Sequence, residues 1–188
     1  QGKKLYPKNE FWEAADIEMQ LAGLEKEALF KKYDELIATY PNSYQATFNY
    51  GLDLSKYIAS EEGAKSPNLA AYKEKLPQLF AKAIAINSTP EANMVLANIY
   101  YNNYFDLSDE ARAVKGTKPE DTKKKQALNT AATNSMKNVI TPAAEAVKLY
   151  TSSGQELKGS AKTNLKLAYE MLAAAYKLSG DTKKAEEY

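Results

Sequence analysis

Cysteine and histidine are both missing from the 188 residues of this chain. Their absence removes thiolate nucleophiles, disulfides, zinc-finger ligand sets, histidine-based triads and a haem-proximal histidine together. No apolar run approaches the roughly eighteen residues that a membrane span requires. Neither sign of charge dominates: 25 Lys and Arg stand against 24 Asp and Glu, a net charge of +1. That balance lacks the basic excess that accompanies phosphate-backbone binding, which argues against nucleic acid as a partner. Glycine-rich phosphate loops, Gly-x-Ser-x-Gly elbows and calcium loops do not occur. Glycine and proline are themselves scarce, 8 and 7 residues, and most of them lie between apolar stripes.

What is present is alanine, 29 residues of it, the best helix former. Ser66-Pro67 and Thr89-Pro90-Glu91 read as an N-cap followed by proline in the first helical turn. Gly154, Gly159 and Gly180 follow amphipathic runs, as C-terminal caps do. Leu29, Tyr33, Leu36 and Ile37 form one stripe at helical spacing, ending at Tyr40-Pro41-Asn42. Leu76, Phe80, Ala83 and Ile84 repeat it 47 residues later. A further stripe joins Leu165, Ala168, Tyr169, Leu172 and Tyr176 before Gly180-Asp181 breaks it. Equal stripes at intervals imply a repeated helix pair in which each pair buries its face on the next. Pro77 and Pro142 fall inside helical pattern, where each is expected to kink its helix or mark an extension.

Tyr169, Leu172, Ala173, Tyr176, Gly180, Asp181 and Ala185 resemble the tetratricopeptide repeat. A second match joins Tyr33, Leu36, Ile37 and Pro41-Asn42 to Gly51, and a third joins Phe80, Ala83 and Ile84 to Leu96-Ala97-Asn98-Ile99-Tyr100. The resemblance implies an all-α, right-handed α-solenoid of antiparallel helix pairs, about seven or eight helices in all. One domain over 1–188 is expected, with pairs at 9–41, 43–88, 90–153 and 159–188. Gly51, Ala97 and Ala173 should then be buried at helix crossings. The period is interrupted twice, after Asp53-Leu54-Ser55 and after Asp106-Leu107-Ser108, by inserts ending near Pro67 and Pro119. Such elongated repeats resemble those of exported, envelope-associated bacterial proteins. A start at Gln1 and the lack of cysteine fit a periplasmic or surface-attached chain whose signal peptide has been removed.

The same resemblance implies a peptide-binding groove lined by the first helix of each pair. It would show Phe48, Leu52 and Ser55, then Met94, Asn98 and Tyr101, then Glu170, Ala174 and Lys177. The candidate binding residues are therefore Phe48, Leu52, Met94, Asn98 and Tyr101, a mixed apolar and amide surface with little charge. The Lys-Asn-Arg clamp of chaperone-binding members is missing: Asn98 alone fits, and the one Arg, Arg112, lies elsewhere. Glu61-Glu62, Asp109-Glu110 and Glu186-Glu187 are adjacent pairs, pointing about 100° apart on a helix, which suits solvated faces rather than an acid–base couple. Lys115 to Lys125 carries five Lys against two acids, read as an exposed basic strip. The expectation is a non-enzymatic scaffold without metal or cofactor, whose partner is another protein or peptide. The alternative is a carbohydrate- or small-ligand-binding envelope protein using exposed tyrosines, with Tyr100, Tyr101, Tyr104 and Phe105 as the densest cluster.

Overall fold

A computed structural model describes residues 10–152, 154 and 156–188. The described residues are helical and contain no strand. Nine helices form among them: α1 (Glu10–Leu21), α2 (Lys26–Thr39), α3 (Tyr44–Ala59), α4 (Glu61–Ala64), α5 (Leu69–Ile86), α6 (Pro90–Ala113), α7 (Pro119–Ser152), α8 (Gly159–Leu178) and α9 (Thr182–Glu186). The helix beyond the expected seven or eight is α4, a single turn. Ser60 creates it: its Oγ donates to Tyr57 O at 2.6 Å and accepts from Gly63 N at 3.0 Å. One side chain thus closes α3 and caps the next turn.

Cap chemistry sets most other boundaries. Thr89 Oγ1 accepts from Ala92 N at 3.1 Å, and Pro90 occupies the first helical position of α6. At the end of α8, Gly180 takes φ 83°. Asp181 N then donates to Tyr176 O and Gly180 N to Lys177 O, the paired bonds of a Schellman turn. Asp181 Oδ1 in turn accepts from Lys184 N and caps α9. Two expectations fail. Ser66 does not cap a helix begun by Pro67; its Oγ accepts from Asn68 N in a local turn, and α5 starts at Leu69. Gly159 opens α8 instead of closing a helix. Pro77 and Pro142 both lie inside continuous helices, α5 and α7.

The chain divides into two compact units, one ending at Asn87 and the other beginning at Ser88. In the first, α3 is the central element and packs on α2, α4 and α5, while α1 packs on α2. Its interior is aromatic. The Tyr33 and Tyr50 rings stack at 4.9 Å, and Phe30 meets Tyr50, Tyr57 and Tyr72 at 5.9, 5.3 and 5.5 Å. Such pairs contribute about 0.5–1.5 kcal/mol each beyond their buried area. Phe80, fully buried on α5, lies against the bare Cα of Gly51 on α3.

In the second unit α7 packs on α6 and on α8, and α9 packs on α8. The 34-residue α7 runs about 50 Å at helical rise. Its core joins Met94 and Ala97 of α6 to Met136, Val139, Ala143 and Ala146 of α7 and to Ala168, Met171, Leu172 and Ala175 of α8. Methyl-sized residues at these crossings let the helix axes approach closely. Ser135 ties the first two helices together, donating to Tyr100 O at 2.9 Å and accepting from Asn103 Nδ2 at 3.0 Å. Gly51 and Ala97 are buried as expected, but Ala173 is only half-buried. The stripe of α8 is rotated from the expected one: Met171 and Ala175 turn inward, while Tyr169 and Tyr176 remain half-buried beside Tyr188.

Two substitutions test this packing. A Cβ at residue 51 would stand 2.7 Å from Phe80 Cζ. Gly→Ala inside a helix ordinarily gains about 1 kcal/mol, whereas overpacking costs about 1–3 kcal/mol. Gly51→Ala should therefore lower the urea midpoint rather than raise it. Ala175→Leu should cost about 1–3 kcal/mol, and Ala173→Leu clearly less, measured by the same denaturation curves.

Candidate functional site

The proposed groove residues fall on two helices in separate units. On α3, Phe48 is half-buried, stacked on Tyr44 at 5.2 Å and edge-on to Phe80 at 5.6 Å. Leu52, one turn later, is half-buried on the same helix. On α6, Asn98 and Tyr101 are half-buried, and Tyr101 packs against the unit's core. Met94 departs from the expectation. Only 2% exposed, it is a core residue between α6 and its neighbours and presents nothing to a ligand. Helical spacing could not separate the two roles, because Met94, Asn98 and Tyr101 share one face, along which burial is complete at Met94 and partial at Asn98 and Tyr101.

Beyond Tyr101 the aromatic cluster climbs out of the core. Tyr100, Tyr101 and Tyr104 rest on the core, and Phe105 is 43% exposed with both Tyr101 and Tyr104 edge-on to it at 5.1 and 5.0 Å. The adjacent carboxylates behave as solvated charges. Glu61 pairs with Lys65, Glu62 with Lys26, and Asp109 with Arg112. Among the described residues no group of His, Cys, Asp or Glu is arranged to hold a metal ion.

Two surfaces carry more than the sequence reading assigned to them. The first is an open cleft of about 630 Å³ at the α2–α3 turn, lined by Thr39, Tyr40, Asn42, Tyr44, Gln45 and Asn87 among others. Its described lining carries no charge. Tyr40 donates to Asp16 Oδ2 at 2.6 Å, which also accepts from Gln20 Nε2. Tyr40-Pro41-Asn42 had read only as a helix stop. The second is the outer face of α7. From Thr122 to Ala144 the sequence holds four Lys and no carboxylate, and Thr122, Gln126, Asn129, Thr130, Thr133 and Lys137 line one open strip. Exposed Thr and Asn each cost roughly 0.5 kcal/mol of helix propensity relative to Ala.

Electrostatic coupling is concentrated in the first unit, where tyrosine hydroxyls reach carboxylates at the edge of the aromatic core. Tyr33 donates to Asp53 Oδ2 at 2.7 Å and Tyr50 to Asp34 Oδ2 at 3.4 Å. Lys75 Nζ lies 2.5 Å from Asp34 Oδ1 and 4.9 Å from the Tyr50 ring centre. Burial, then the Asp53 bond, holds the Tyr33 phenol well above its ordinary range; burial also raises Tyr50, against the opposing pull of Lys75. For Lys75, burial pulls downward, but hydrogen bonds to Asp34 and Tyr50 outweigh it and raise the ammonium.

No family model, curated protein or solved structure matches this chain. The likeness to tetratricopeptide repeats therefore rests on the residues quoted above, and the site is read from its own chemistry.

These shifts have one sign. Raised tyrosine and lysine values mean that the folded chain keeps protons which the unfolded chain releases above pH 10, the ordinary tyrosine value. Their contribution is complete below that pH and is lost as pH rises through the folded values. The urea midpoint should stay level near neutrality and fall above about pH 10. Tyr33→Phe should cost about 1 kcal/mol at neutral pH and make the alkaline fall shallower.

Proposed function

We propose that this chain is a non-enzymatic helical-repeat scaffold, a right-handed tetratricopeptide-like solenoid that holds another protein or a peptide on the inner helices of its pairs. The observation that carries this reading is the approach of Phe80 to Gly51, at the position where the repeat pattern asks for a small residue. Fully buried Ala97 on α6 and the Gly180-Asp181 turn between α8 and α9 support it. Phe48 and Leu52 on α3, and Asn98 and Tyr101 on α6, are the residues that meet the partner. Amide, phenol and apolar groups with little charge suit a polypeptide segment better than a phosphate or carboxylate tail. We place the protein in the bacterial cell envelope, exported, because the elongated repeats resemble those of such proteins and a chain without cysteine is indifferent to an oxidising compartment.

The test is affinity capture from envelope extract with the wild-type chain, Phe48→Ala/Leu52→Ser and Asn98→Asp/Tyr101→Ala. A partner recovered by the wild type and reduced roughly tenfold, or about 1.4 kcal/mol, by either pair supports the reading. Equal recovery by all three overturns it. Extraction of the protein with the cytoplasmic fraction alone would contradict the location.

A second reading, a carbohydrate- or small-ligand-binding envelope protein, gains one observation. The cleft at the α2–α3 turn joins two tyrosines to the side-chain amides of Asn42, Gln45 and Asn87, a lining that suits a neutral hydroxylated molecule. Calorimetric binding of a neutral oligosaccharide, lost in Tyr44→Ala, would favour this reading over the scaffold.

A further inference from the structure

Cations elsewhere in the described chain are commonly neutralised locally. Lys26, Lys32, Lys56, Lys65, Lys75, Arg112, Lys148, Lys166 and Lys184 each lie within 4.0 Å of a carboxylate. Lys31, Lys158, Lys162, Lys177 and Lys183 also lie outside these ion pairs, dispersed over other helices, whereas the α6–α7 turn and the first two-thirds of α7 gather six such lysines in one segment. The side chains of Lys115, Lys118, Lys123, Lys124, Lys125 and Lys137 make no ion pair or hydrogen bond among the described residues. All six are exposed. On α7 acids sit only at the start, Glu120 and Asp121, where the helix dipole favours them, and again from Glu145. Glu110 of α6 and Asp121 share an open pocket with Lys115 and Lys124, so the stretch of α7 from Lys125 to Lys137 is the part that contains no carboxylate.

The strip between Lys125 and Lys137 is chemically uniform. Gln126, Asn129, Thr130, Thr133 and Asn134 line it, and the side chains of Gln126, Asn129 and Asn134 form no hydrogen bond among the described residues. Thr130 and Thr133 donate inward to Gln126 O and Asn129 O, both at 2.9 Å, which leaves their oxygen lone pairs outward as acceptors. The face therefore offers amide donors, amide and hydroxyl acceptors, and uncompensated positive charge. It is built from residues that weaken the helix carrying them, as functional surfaces do.

We infer that this face of α7 binds an acidic polysaccharide, a linear chain of uronic-acid type that bears carboxylates and hydroxyls together. Charge complementarity requires a polyanion. A partner helix would need an apolar stripe, and the exposed strip of Thr122, Gln126, Asn129, Thr133 and Lys137 has none. A bare polyphosphate only accepts hydrogen bonds and leaves the amide and hydroxyl acceptors unused. A hydroxylated polyanion uses donors, acceptors and charge alike. The Lys125-to-Lys137 span, about 18 Å at helical rise, matches a few sugar units of an extended polymer. This site is independent of the groove residues on α3 and α6.

Titration calorimetry of the full chain with alginate, dextran and polyglutamate tests the assignment. Alginate should bind, with dextran and polyglutamate at least about tenfold weaker, and added salt should weaken the alginate complex. Lys125→Gln/Lys137→Gln should reduce alginate affinity by about tenfold. Asn129→Ala/Thr133→Ala should reduce it severalfold while raising Tm by about 2–4 °C, a gain that separates lost recognition from lost folding. Absence of alginate binding, or binding unchanged in both double variants, overturns the proposal. Polyglutamate binding as tightly as alginate and indifferent to Asn129→Ala/Thr133→Ala would also overturn it, and would mark the face as a docking surface for acidic polypeptide.

Discussion

The contact of Phe80 with the bare Cα of Gly51 is the constraint on which the first unit depends. It lets α5 approach α3 closely, and Leu76, Leu79, Phe80 and Ala83 of α5 and Tyr50 and Leu54 of α3 are all buried. Without cysteine there is no disulfide to hold the elements together, and packing carries the net stability. The second unit solves the same problem with alanine: Ala97, Ala143, Ala146, Ala168 and Ala175 are fully buried where α6, α7 and α8 converge. In both units large side chains fill the space beside the small ones. Tyrosine does so in the first, methionine and leucine in the second.

The tyrosines show how one residue type serves two ends. Their rings give the first unit its interior, while the hydroxyls, unable to stay buried without partners, reach Asp16, Asp34 and Asp53 at its edge. A sequence rich in tyrosine therefore need not be a sugar-binding surface. Tyr33, Tyr50 and Tyr150 are core residues, and Tyr150 meets Asn164 at 3.2 Å. Among the described residues the exposed aromatic side chains are Phe105, on α6, and Tyr188, after α9.

Much of the helical framework was legible because its signals are local. Thr89-Pro90 and Gly180-Asp181 act through bonds between neighbours, and the Gly51 and Ala97 positions were expected from the resemblance to the tetratricopeptide repeat. Tertiary packing decided what local signals could not. Ala173 and Ala175 have the same chemistry, and only the rotation of α8 on α7 chooses Ala175. Met94 satisfied the spacing for a groove residue, yet the core of the second unit closes over it. Ser66-Pro67 carried a good cap signal, but Ser60 used the preceding residues for α4 and moved the start of α5. The α7 face was read as a solvated lysine strip. Its lack of neutralising partners became visible only when the ion pairs elsewhere were in place.

A double-mutant cycle on Gly51→Ala and Phe80→Leu tests the central constraint most directly. If close approach at this point organises the first unit, the smaller side chain at 80 should accommodate the added methyl. The double variant should then be more stable than the sum of the single changes predicts, with a coupling of about 1 kcal/mol or more. Additive effects, or a Gly51→Ala variant more stable than the wild type, would contradict the account.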